Sequence, residues 1–165
     1  MSEQEEKERR LKRLAQWSLV IAIGMAVTLV AIPAAKMRSN NRDRLVERGV
    51  ELYQTHCASC HGAEGEGQEP SNPTGGRQAD GTYLAPALDG NGAAWYRTNR
   101  QLFEYIKNGS LDAESPMKPF GEKLSEEEIA SILVYIESRW PPQIQQQHEA
   151  NMPFTPRRDE NGRNF

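Results

Sequence analysis

A chain of 165 residues has room for one modest domain plus appendages. Its formal net charge is only −3, but the acid is unevenly spread. Between Cys57 and Trp140 there are seven Lys/Arg against thirteen Asp/Glu, a net of −6, which argues against a nucleic-acid partner and suits a basic patch on a protein partner.

Residues 1–14 interleave four glutamates (Glu3, Glu5, Glu6, Glu8) with five cations (Lys7, Arg9, Arg10, Lys12, Arg13) and read as a solvated, cytoplasmic, helical segment. From Trp17 to Ala35 nineteen residues carry no charge. As a helix they span about 28 Å, close to the hydrocarbon thickness of a bilayer. Taken as 15–35, this stretch is expected to be a retained membrane anchor that contacts lipid. A cleaved signal peptide fits worse, because its apolar region runs about 7–15 residues and ends in an A-x-A-like site. Here Ile32 or Pro33 falls three residues before any candidate cut. Pro33 is tolerable at the helix end. Five cations (Lys36, Arg38, Arg42, Arg44, Arg48) follow the span, so the excess-of-positives rule does not orient it.

Residues 36–42, with Ser39-Asn40-Asn41, read as a polar linker. Asp43 can cap a helix that runs to about His56 and presents Leu45, Val46, Val50, Leu52 and Tyr53 as an apolar face. Gly49 sits in its middle, where glycine costs about 1 kcal/mol relative to alanine. Close approach of another helix would explain it.

Cys57-Ala58-Ser59-Cys60-His61 follows at once. Two thiols three positions apart can each form a thioether with a porphyrin vinyl group, and the adjacent imidazole can take the iron. These are the only two cysteines. A thioredoxin-like dithiol would need a βαβ context, and zinc would need a second ligand pair. A disulfide this short would stabilise little. One covalently attached haem c is therefore expected. Its attachment implies the compartment outside the cytoplasmic membrane, so the chain from about residue 36 should be periplasmic or exoplasmic.

Gly62–Asp80 is rich in Gly, Glu, Pro and Asn and reads as an exposed, poorly determined loop. A helix is predicted from about Thr98 to Asn108, with Gln101 completing a capping box and Gly109 as its stop. Ser125 with Glu128 makes a second capping box, and Ile129, Ile132, Leu133, Ile136 and Trp140 recur at helical spacing until Pro141-Pro142. No segment alternates with period two, so an all-α domain with long loops is expected. Residues 141–165 hold four prolines and three consecutive glutamines, and read as a tail that is mobile or lies across a neighbouring subunit.

Candidates for the second axial ligand are Met117, Met152, His56 and His148. His56 is too near the attachment turn, and Met152 and His148 fall in the tail. Met117 lies 56 residues past His61, between Pro116 and Pro119, whose restricted backbones help a strap hold a weak thioether ligand. It is the favoured candidate.

From about Asp43 to Trp140 the chain resembles the class I cytochrome c family. The resemblance rests on Gly49 and Tyr53, Cys57-Ala58-Ser59-Cys60-His61-Gly62, Leu84-Ala85-Pro86-Ala87-Leu88-Asp89-Gly90, Met117-Lys118-Pro119-Phe120, and Ile132 with Tyr135-Ile136. It implies a class I cytochrome c fold over 43–140, preceded by one transmembrane helix, with the first and last helices crossing at Gly49 near Tyr53 and Tyr135. It also implies that the Pro86 carbonyl receives the free ring N–H of His61, and that His61 and Met117 hold the iron. Lys118 departs from the family's frequent proline, and the acidic, Gly-rich loop after the haem motif is an insertion. The expected function is one-electron transfer rather than catalysis. A haem subunit of a larger respiratory or photosynthetic complex is favoured, either a quinol-oxidising complex such as alternative complex III or a terminal oxidase. The alternatives are an independent tethered carrier and, remotely, an enzyme or gas sensor with an open haem face.

Overall fold

Residues 3–151 are described by a computed structural model. Helix α1 (Glu3–His56) is followed by α2 (Ala58–His61), strands β1 (Gly76–Arg77) and β2 (Tyr83–Leu84), a 3-10 turn at Ala94–Tyr96, α3 (Asn99–Asn108), α4 (Glu126–Arg139) and α5 (Pro142–Asn151). The chain divides into two compact units between Asn41 and Arg42.

In the first unit α1 is long and apolar enough to cross a membrane, and its most apolar stretch buries nothing against the rest of the chain. Trp17, Ile21, Leu29 and Val30 are all exposed. The few polar groups in the stretch are satisfied locally: the Ser18 and Thr28 hydroxyls donate to the carbonyls of Ala15 and Met25, each at 2.9 Å. Residues 36–42 are helical rather than a linker, and Asp43 lies inside the helix instead of capping it. No Gly or Pro interrupts Lys36–Arg48, and Ser or Asn inside a helix costs only a fraction of a kcal/mol.

The second unit is built on the C-terminal turns of α1, on α3 and on α4. Its core joins Leu52, Tyr53, Phe103, Ile106, Leu124, Ile129, Ile132, Leu133, Tyr135, Ile136 and Trp140. Gly49 is where α1 meets α4: an added Cβ would press on the Ser131 carbonyl and lie 2.7 Å from Tyr135 Cβ. The missing side chain lets the two backbones touch. One turn on, the Tyr53 and Tyr135 rings pack edge to face, with centroids 5.1 Å apart. Both capping boxes form, Thr98 with Gln101 and Ser125 with Glu128.

Two segments differ from expectation. The loop after the haem motif is closely held: Gly67 N–H donates to His61 O at 2.8 Å, Ala87 N–H to Pro73 O at 2.9 Å, and Gly76 and Arg77 pair antiparallel with Leu84 and Tyr83. This short ladder is the one departure from an all-helical fold among the described residues. The start of the tail is also folded. Pro142 opens α5, at a helix position whose N–H needs no partner. His148, 4% exposed, packs edge-on to Trp140, and its Nε2 lies 3.0 Å from Arg97 O. Trp140 donates to Leu88 O at 2.9 Å.

Candidate haem site

The attachment motif continues α1 by one tight turn. Cys57 N–H donates to Tyr53 O, and Cys60 and His61 N–H both return to Cys57 O, at 2.8, 3.1 and 2.9 Å. That closure puts Cys57, half-buried against the core, and Cys60, exposed, one helical turn apart as free thiols. Burial, reinforced by the Cys60 sulfur, pushes the Cys57 thiol up to about 11. Tyr53 fastens the end of the turn, its hydroxyl donating to Gly62 O at 2.9 Å.

His61 Nδ1 lies 2.8 Å from Pro86 O. A carbonyl only accepts, so Nδ1 carries the proton and the lone pair of Nε2 is free for a metal. Burial holds the imidazole below its usual range despite that bond, which keeps it neutral, as a ligand must be. Pro86 is placed from both sides. Leu88 and Asp89 N–H donate to Gly65 O at 2.7 and 3.1 Å, and Gln68 N–H donates to Ala85 O at 3.1 Å. Gly67 has φ +83°, and an added Cβ would lie 2.8 Å from Ala87 N, so only glycine fits there. Glu66 folds back to accept from Glu64 N–H at 2.8 Å, and backbone N–H groups hold its carboxyl below the usual range.

Met117 is half-buried against the core, on the segment between α3 and α4. The segment is anchored at both ends: Ser110 N–H donates to Met117 O at 3.1 Å, and Phe120 and Gly121 N–H donate to Ile106 O and Lys107 O at 3.0 and 2.9 Å. Ser115 Oγ accepts from Met117 N–H at 3.3 Å, and Lys118 Nζ donates to Ser115 O at 3.3 Å. Lysine in place of proline thus adds a tie. Of the competing ligand candidates, His56 packs on Phe120 with ring centroids 5.9 Å apart, His148 is bound into α5, and Met152 lies outside the described residues.

Two free thiols in one turn, an imidazole with only its outer nitrogen uncommitted and a half-buried thioether on a fixed strap form a donor set that fits a covalently held haem. Sequence reasoning missed the contacts around the strap. The Tyr83 hydroxyl bonds the Asp112 carboxylate, and Arg77 pairs with Glu114 at 2.6 Å while lying 6.0 Å from the Tyr83 ring centroid. The Asp112 carboxyl is held below its usual range by the Tyr83 hydroxyl and then by Glu114 N–H. The readable signal was Asp80-Gly81, a hairpin-turn dipeptide between the two short strands.

Comparison with known proteins agrees. The family model described as cytochrome c oxidase, cbb3-type, subunit III matches residues 44–136, more than half of the chain. The chain belongs to this cytochrome c family. It therefore carries covalently attached haem c and is related to electron-transfer proteins.

Cytochrome c6 of Picosynechococcus is 30% identical over 90 residues, covering 53% of this chain and 68% of that protein. The cytochrome bc1 complex cytochrome c subunit of Corynebacterium diphtheriae is 23% identical over 136 residues, 79% of this chain. This chain spans 43% of that subunit's length. A solved cytochrome cL from Methylophaga aminisulfidivorans superposes with a TM-score of 0.47 at 23% identity, covering 72% of each chain.

Proposed function

We propose that this chain is the haem-bearing subunit of a larger membrane redox complex. It would be fixed to the lipid bilayer by α1, with residues from about 36 onward on the periplasmic or exoplasmic side. The observation that carries the reading is the long apolar stretch of α1 joined to a cytochrome c domain whose relatives include a bc1 complex subunit. Haem c supplies a one-electron Fe(II)/Fe(III) couple. In this reading Cys57 and Cys60 would hold the porphyrin, His61 and Met117 would ligate the iron, and the Pro86 carbonyl would orient the His61 ring. With both ligands supplied by the chain no site would be left for substrate, and a thioether ligand would favour Fe(II).

An independent tethered carrier is the second reading, favoured by the likeness to cytochrome c6. Mild-detergent extraction followed by sizing separates the two. Co-elution of the haem with companion subunits is the expected result, and elution as a lone 18.6 kDa chain in its detergent micelle would overturn the subunit reading. For the axial pair, Met117→Ala should abolish the long-wavelength absorption band of thioether-ligated ferric haem. It should also admit carbon monoxide rapidly to the reduced protein. An unchanged band would move the ligand assignment to another residue.

A further inference from the structure

The hairpin at 76–84 touches both halves of the site, yet none of its residues belongs to the haem motif or to the strap. On one side β2 leads, two residues past Leu84, to Pro86, whose carbonyl holds His61. Gly75 abuts it so closely that an added Cβ would lie 2.7 Å from Pro86 N. On the other side the hairpin grips the strap twice, through Tyr83 on Asp112 and Arg77 on Glu114. Asp112 in turn shapes the strap. Its Oδ1 accepts from Glu114 N–H at 3.0 Å, its carbonyl accepts from Ser115 N–H at 3.0 Å, and Ser115 Oγ receives Met117 N–H. Hydrogen bonds therefore run from the Tyr83 ring to the backbone of Met117 through one turn of chain.

We propose that Tyr83 and Arg77 are positioning residues that clamp the Met117 strap to the Pro86 side of the site, and so set how readily Met117 leaves the iron. The inference rests on the reading of Met117 as the axial ligand. It follows from how little apolar burial holds the stretch between the strap's anchored ends. Leu111, in the same loop, is 93% exposed, and Asp112, Ala113, Glu114 and Pro116 are exposed too. The loop has little apolar burial to hold it, and a weak thioether ligand depends on being presented in place. A single exposed ion pair would contribute almost nothing. Here it acts beside a hydrogen bond to a charged carboxylate, which is about twice as strong as a neutral one.

The test uses the full-length, haem-loaded protein in detergent and compares Tyr83→Phe, Arg77→Gln, the double variant, Met117→Ala and Arg48→Gln. Arg48 links α1 to α4 through Glu128 at 2.8 Å and serves as a control for general loosening. Carbon monoxide binding to the reduced protein is expected to accelerate about tenfold in the double variant and less in each single variant. The midpoint potential should fall and the long-wavelength ferric band should weaken on warming. Asp112→Asn, which loses the charge and leaves one acceptor oxygen for the two donors Tyr83 and Glu114 N–H, should fall between the parent and the double variant. Arg48→Gln should leave all three readouts unchanged. Parental carbon monoxide kinetics in the double variant, beside fast binding in Met117→Ala, would overturn the clamp alone. Parental behaviour in Met117→Ala would overturn the ligand reading and the clamp with it.

Discussion

Glu137 stands near the end of α4, where α5 folds back over the domain, and one of its oxygens is buried without a hydrogen-bond partner within the chain. Burial raises its carboxyl above the usual range. His148 and Arg42 oppose the rise, Glu149 adds to it, and Asn99 donates a hydrogen bond. Because the folded pKa lies above the unfolded value of about 4.3, the native state binds more protons in the window between them. Stability therefore falls as pH rises through that window, and the whole cost is present above the folded pKa. Glu137→Gln removes the charge, and its amide can donate to Asn99 Oδ1, which is also buried and unpartnered. The variant should be more stable than the parent at pH 7 by about 1 kcal/mol, a few degrees in Tm. The two should converge near pH 4. Thermal melts at both pH values decide it, and a lower Tm for the variant at pH 7 would contradict the account.

Among the elements, legibility tracked how local the determining interaction was. The two capping boxes are i,i+3 exchanges between side chain and backbone, so Thr98–Gln101 and Ser125–Glu128 could be read from four residues each, and both form. Gly49 was readable because a glycine inside a helix needs a reason, and Ser131 and Tyr135 are that reason. The attachment motif was equally plain, since its chemistry lies within five consecutive residues. The remainder depended on contacts distant in sequence. The 62–80 segment takes its order from carbonyls and amides of 82–89, and apart from the Asp80-Gly81 turn nothing in its polar composition announces them. Helix α5 has no aliphatic stripe to signal it. What seats it is an edge-on Trp140–His148 pair, Gln145 donating to Trp140 O at 2.7 Å, and a bond from His148 to Arg97, 51 residues away. The linker at 36–42 was misread for the opposite reason. Its polar residues are compatible with helix, and only a breaker would have ended it.

For the whole molecule, the division after Asn41 carries a consequence for how the haem domain stands by itself. Every core residue and every apolar side chain packed on the core lies at Val46 or beyond. Among the described residues, the core that stabilises the cytochrome domain is thus built from Val46 onward. From residue 42 onward the large apolar side chains left exposed are Val50, Tyr96 and Leu111 among the described residues, too scattered to demand a membrane. A chain beginning at Arg42 would also gain a new helix start. Asp43, interior to α1 in the full protein, becomes available as an N-cap for the helix to His56. Arg42, which neighbours Glu137 in the full protein, is retained in such a chain. The 42–165 fragment, exported behind a cleavable signal peptide so that haem can be attached, is thus expected to be soluble without detergent. Its ferric and ferrous spectra should match those of the parent, and its Tm should lie within a few degrees, since changes outside the core shift stability by about 0.5 kcal/mol or less. Absorption spectroscopy and melts of fragment and parent in the same detergent make the comparison direct. A fragment that loses its haem spectrum or melts far earlier would show that the membrane segment supports the fold as well as tethering it.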